Sequence, residues 1–191
     1  MKKIFLLFVL SMSYVVFAQN FTNDKNHSKL GFAVTHLKIS TVEGDFKNFT
    51  VQLSSFYNQD ITATKFHVVA QVNSISTGIE GRDNHLKSAD FFDTANYPKL
   101  EFTSKSISKV KKNIYKLVGD LTLHGVTKQV SLNLIYNGSV DNHGIIIYGF
   151  TIKGKIDRID FNIGTDFTNA VVSNMVEISA NLQFPTHTSS I

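Results

Sequence analysis

The chain returns again and again to a period of two. Leu30, Phe32, Val34 and His36 alternate with Lys29, Gly31, Ala33 and Thr35. Phe66, Val68, Ala70 and Val72 alternate with Lys65, His67, Val69 and Gln71. The rhythm recurs at Leu117, Gly119, Leu121 and Leu123, at Val130, Leu132 and Leu134, and at Ile146, Tyr148, Phe150 and Ile152. It is cleanest at Val176, Ile178, Ala180, Leu182 and Phe184, set against Glu177, Ser179, Asn181 and Gln183. Successive side chains of a strand point to opposite faces, so this pattern predicts strands with one dry face and one wet face.

Polar turn signals fall between the runs. Lys111-Lys112-Asn113 separates two strands, and Asn137-Gly138 with Asp141-Asn142-His143-Gly144 predicts a polar reversal. The count comes to about eight strands, most of them joined as consecutive hairpins. No strand–helix–strand rhythm appears, so a parallel sheet is not expected. One short helical insertion is predicted near residues 81–92. Eight antiparallel strands with one apolar face close naturally into a barrel, which removes exposed edges. A two-sheet sandwich produces nearly the same alternation, and the pattern leaves both open.

Lys2 and Lys3, the apolar run Ile4 to Leu10, and Val16-Phe17-Ala18 predict an export signal over residues 1–18 with cleavage after Ala18. A retained membrane helix needs about 20 apolar residues, and Ser11, Ser13, Gln19 and Asn20 interrupt this run. Residues 19–191 then form a single domain, with 185–191 as a short tail. Losing Lys2 and Lys3 takes the formal charge from +4 to +2. So small a balance, with scattered lysines, gives no basis for nucleic-acid binding. There is no Cys, so stability rests on a core in which 16 Phe are available. The seven His (27, 36, 67, 85, 124, 143 and 187) show no metal-ligand spacing, although His27 and His36 could approach across a barrel, and no metal site is expected.

Two stretches are unlike generic linkers. One is Arg82-Asp83-Asn84-His85-Leu86-Lys87-Ser88-Ala89-Asp90-Phe91-Phe92-Asp93, closed by Tyr97-Pro98; the other is Gly119-Asp120-Leu121-Thr122-Leu123-His124-Gly125-Val126-Thr127. With His27-Ser28, Phe32 to His36, Val42 to Phe46, Ser74 to Thr77, Phe102-Thr103-Ser104 and Arg158-Ile159-Asp160-Phe161, they occur in the order seen in the YceI-like family. The chain resembles these secreted, lipocalin-like, polyisoprenoid-binding proteins from about Asp24 to Phe184. One position departs: Asn162 stands where the family pattern has Gly after the late Asp-Phe pair. Asn tolerates a left-handed backbone almost as well, so the turn is expected to survive.

The resemblance implies an all-β, lipocalin-like antiparallel barrel whose pore holds a long isoprenoid lipid or isoprenoid quinone, in the periplasm and without catalysis. No cofactor is implied. Transient membrane contact and a homodimer are the further partner expectations. The expected pore lining is Phe32, Val34, His36, Phe46, Phe66, Val68, Phe102, Leu121, Leu123, Phe150 and Phe161. Arg82, His85, Leu86, Phe91 and Phe92 are the expected lid or rim. Two other classes remain: an enzyme acting on an apolar substrate through His36, Asp83 and His85, and a ligand-free structural or adhesion barrel packed solid with side chains.

Overall fold

The computed structural model describes residues 20–56 and 59–186. The expected export signal and residues 187–191 of the expected tail, with His187, lie outside the described residues, whereas Pro185, expected to open that tail, ends a strand opposite Ile147. The described chain carries eleven strands in one antiparallel sheet, where about eight were predicted. They are β1 (Phe21–Thr22), β2 (Lys29–His36), β3 (Ser40–Phe46), β4 (Phe49–Ser54), β5 (Lys65–Gln71), β6 (Ile75–Ser76), β7 (Lys99–Lys111), β8 (Ile114–Leu123), β9 (Val126–Asn142), β10 (Ile145–Asp157) and β11 (Val172–Pro185). The additional strands include two that are only two residues long, β1 and β6, too short to leave a periodic signature. β4 is also in excess of the alternating runs singled out above, although Phe49, Val51 and Leu53 alternate with Thr50 and Gln52.

The sheet order is β1-β4-β5-β7-β8-β9-β10-β11-β2-β3-β6. Its two flanks are tied together by the chain itself. β3 and β4 lie at opposite ends of that order, yet only Lys47 and Asn48 separate them. β5 and β6 are likewise far apart in the sheet and joined by the short 3₁₀ turn Val72–Ser74. Such short links force the sheet to curl back on itself. The corner is pinned by Lys47 N–H to Ser74 O (3.1 Å) and Gln71 N–H to Asn48 O (2.9 Å). The N-terminal segment staples the seam elsewhere. Phe21 and Thr22 pair with β4, Asn23 exchanges bonds with Val51, and Asp24 N–H reaches Gln183 O on β11.

Within the strands the pleat sorts side chains as the alternation requires. On β8, Tyr115, Leu117, Gly119, Leu121 and Leu123 are all buried, and the residues between them are not. The β8–β9 hairpin turns at His124 and Gly125, whose φ values of 51° and 72° are the left-handed pair that a two-residue hairpin turn demands. His143 and Gly144 (53° and 86°) do the same between β9 and β10. Asn137-Gly138 is not part of that reversal. It lies inside β9, opposite Gly149, where the register shifts at a β-bulge. A long bulged strand reads in sequence like a strand, a turn and a second strand.

One end of the barrel is filled with rings. Phe150 lies 5.5 Å from Phe66, 5.8 Å from Phe184 and 5.8 Å from Phe56, centroid to centroid, mostly edge to face. Phe21, Tyr136 and Tyr148 extend the same cluster. The other end is covered by the insertion between β6 and β7, which contains α1 (Glu80–Lys87) and the turns that follow it.

Candidate functional site

Between the ring-filled end and the insertion lies a narrow apolar cavity. It offers about 150 Å³ to the centre of a water-sized sphere and is partly open to solvent. Of the 26 residues that line it, all are apolar except Gly31, Arg158 and Ser179. The lining includes Phe32 and Val34 of β2, Phe46 of β3, Val68 of β5, Phe102 of β7, Leu121 and Leu123 of β8, and Leu86, Phe91 and Phe92 of the insertion. These ten belong to the predicted set. The remaining walls include Leu30, Val51, Leu100 and Ile163, Val130 and Leu132, Ile152 and Ile156, and the inward face of β11 from Val172 to Leu182.

Six predicted site residues do not line it. Phe66 and Phe150 point inward but sit in the ring-filled end, beyond the cavity floor. Parity along a strand gives the face and not the height, so floor and wall look alike in sequence. His36 ends β2 opposite Val172, past the cavity wall formed by Val34. Phe161 belongs to a 3₁₀ turn, Arg158–Phe161, and not to the late strand expected there; it is buried away from the void. Arg82 is consumed locally: its Nε donates to Thr77 Oγ1 (2.7 Å) and its Nη2 to Thr77 O (2.9 Å). His85 faces outward, within 3.2 Å of Asp90, with its ring edge-on to Phe91. His27 and His36 do not meet, because β2 runs its length between them.

The insertion is anchored by an Asp–Thr clasp. Asp83 Oδ1 accepts from Thr77 N–H (2.7 Å) and from the Thr77 hydroxyl (2.6 Å). Burial works to raise the Asp83 pKa, but these two bonds, helped by Lys87 and Arg82, outweigh it and hold the carboxyl below its ordinary value. Phe91 then stacks on Phe167 of the β10–β11 connection at 4.8 Å and 23°. Tyr97 lies against Gly125, and its ring is 4.4 Å from that of His124. His124 Nδ1 in turn donates to Phe161 O (3.1 Å). The two stretches that stood out in sequence are therefore in contact, and the second is bonded to the Arg158–Phe161 turn. Asn162 adopts φ 56° and ψ 32°, the left-handed conformation expected of it.

Arg158 is a cavity-lining residue absent from the predicted set. It is 3% exposed and lines the cavity, and among the described residues no carboxylate is bonded to it. Its donors are spent on the connection between β10 and β11: Nε on Ser173 O, Nη1 on Ile163 O and Gly164 O, and Nη2 on Phe167 O, Val172 O and Asn174 Oδ1. Burial pulls its pKa down, and Asp157 partly offsets that. A buried charge without a counter-ion is stabilised only by such dense bonding. The available signal was its parity: Ile152, Gly154, Ile156 and Arg158 follow one another on the inward face.

Three inward glycines shape the wall. A Cβ on Gly44 would stand 2.4 Å from the Phe32 ring, one on Gly119 2.5 Å from Phe102, and one on Gly154 2.4 Å from Leu132. Each lets a large neighbour lie flat across the strand instead of projecting into the void. Among the described residues, no group of three His, Cys, Asp or Glu side chains could hold a metal, and no helix is long and apolar enough to cross a membrane.

The YceI-like domain model matches residues 21–184. A UPF0312 protein of Staphylococcus epidermidis is 37% identical over 166 residues, covering 86% of this chain and 92% of its own. The crystal structure of the Campylobacter jejuni YCEI protein superposes with a TM-score of 0.74 at 30% identity, covering 92% of this chain and 99% of that one. A polyisoprenoid binding domain from Saccharophagus degradans shares the fold, with a TM-score of 0.64 at 17% identity, covering 87% and 98%. The chain belongs to the YceI-like family.

Proposed function

We propose that this protein binds, stores or carries an isoprenoid lipid or isoprenoid quinone in the barrel cavity and does not transform it. The observation that carries the reading is the void itself, narrow and lined by hydrocarbon except for Gly31, Ser179 and the already bonded Arg158. The solid barrel of the structural alternative has no such space. The name of the Saccharophagus degradans domain, polyisoprenoid binding, agrees with the reading.

Energetics favour carriage over capture. Each buried methylene is worth roughly 0.8 kcal/mol relative to water. Over a long prenyl tail that sum passes the practical ceiling of about −18 to −21 kcal/mol. The ligand's alternative home is a bilayer as apolar as the cavity, so transfer is nearly balanced. In this reading the protein works in the periplasm and touches membranes transiently. The exposed tip of the β2–β3 connection supports such contact. Leu37 and Ile39 are 50% and 86% exposed, and Leu37 N–H bonds Val171 O beside the lining residue Val172.

The enzyme reading has less support. Asp83 is committed to Thr77 and His85 sits beside Asp90, and no hydrogen bond among the described residues joins either of them to His36. Native mass spectrometry and lipid extraction of the mature protein test the proposal. A recovered prenyl lipid, or uptake of added prenyl quinone, supports it. A protein that arrives empty and refuses prenyl quinones refutes it. Turnover of a bound lipid that disappears in His36→Ala or Asp83→Asn restores the enzyme. Sedimentation of the loaded protein tests the expected homodimer.

A further inference from the structure

We infer that the ring-filled end of the barrel is a ruler that selects isoprenoid ligands by tail length. The inference rests on the lipid-binding reading and adds a specificity to it. Phe66, Phe150 and Phe184 are each no more than 1% exposed, and Phe56 and Phe21 close the layer behind them. The cavity is therefore blind. A tail enters from the insertion side and stops at these rings.

Its length follows from β11, whose inward face lines the void from Val172 to Leu182. β11 bulges between Val172 and Val176, where its chain advances four residues against two of β2, so the ten residues rise by about eight steps, roughly 26 Å at about 3.3 Å each. A tilt of about 35–45° shortens that to roughly 19–22 Å along the barrel axis. An extended chain advances about 1.2 Å per bond, by analogy with the backbone's reach. An isoprene unit of four chain bonds then takes about 5 Å, and about four units fit.

The width excludes a doubled-back tail. Spread over this length, the 150 Å³ open to sphere centres is a channel of roughly 1.5 Å radius, or about 2.9 Å once the radius of a water-sized sphere is added. That admits one chain and not two. A longer tail must leave its excess in water, at a penalty on the order of a thousandfold in affinity per exposed unit of five carbons.

The test is extraction of prenols of three to ten isoprene units from phosphatidylcholine vesicles by the mature protein, read by mass spectrometry of the recovered complex. Units that fit exchange one apolar setting for another, so occupancy should be level up to about four units and fall at least tenfold beyond. Phe150→Ala, or Phe150→Leu if the first does not fold, should move the fall to longer tails. Val176→Phe, which adds a ring halfway along the wall, should move it to shorter ones. Equal extraction of every length, or a limit that neither floor nor wall variant moves, overturns the ruler and leaves lipid binding standing. Extraction of no prenol at any length removes the lipid-binding reading itself, and the ruler with it.

Discussion

Gly44→Ala tests the cavity more directly than deletion of any lining residue. Gly44 pairs with Phe32 across β2 and β3, so both point inward. The added Cβ would lie 2.4 Å and 2.7 Å from the Phe32 ring and 2.9 Å from Thr77 Cγ2. Ordinary contact begins near 3.4 Å, so the ring must retreat by about 1 Å. Phe46, 6.1 Å away, limits one direction, and the free space near the ring is the cavity. Overpacking a filled core costs about 1–3 kcal/mol. Here a void receives the ring, and Gly→Ala in extended backbone returns about 0.4–1 kcal/mol by restricting the unfolded chain. The net loss should be about 1 kcal/mol, a Tm lower by roughly 2–4 °C for a chain of this size. Binding should suffer more, because the displaced ring occupies space meant for several methylenes at about 0.8 kcal/mol each. We expect at least a tenfold loss of prenol affinity, measured by displacement of a fluorescent apolar probe. Phe32→Leu in the same chain should restore most of it, a coupling a double-mutant cycle resolves. Unchanged affinity in Gly44→Ala, or a loss that Phe32→Leu does not relieve, would refute the reasoning.

Three other outcomes follow from the same geometry. Arg158→Met keeps the apolar stem but strips five backbone carbonyls of their donor; with charged hydrogen bonds worth about 1.5–3 kcal/mol each and partial rehydration, a loss of about 3 kcal/mol and a melting point lower by roughly 6–12 °C should appear by calorimetry. The Asp83 clasp is acid-sensitive: its folded pKa lies below the unfolded one, so its contribution is complete above about pH 4 and is lost as pH falls through the folded value. Protection of the Thr77 amide, measured against its intrinsic exchange rate at each pH, should therefore fall on acidification below pH of about 4, and Asp83→Asn should lack much of that protection at neutral pH and show no acid step. Phe167→Ala removes a ring stack worth about 0.5–1.5 kcal/mol; ligand dissociation should quicken about threefold or more by stopped flow, with a melting shift of only a few degrees.

Much of this molecule is written locally. A pleated strand alternates its side chains whatever it packs against, so spacing puts Phe32 with Val34, Val68 with Phe66, and Leu121 with Leu123 on one apolar face each, while Phe102 is legible only through the family resemblance. The left-handed turn at Asn162 is equally local, a matter of which side chain tolerates positive φ. Height along the barrel is not local. It depends on register and stagger between strands far apart in sequence, and those separated wall from floor, sending Phe66 and Phe150 below the cavity that Phe102 lines. The same long-range pairing laid Phe32 over Gly44, closed Arg158 into a cage of carbonyls up to 16 residues further along, and set Tyr97 against Gly125. Spacing reports a direction; only the folded barrel turns that direction into a place.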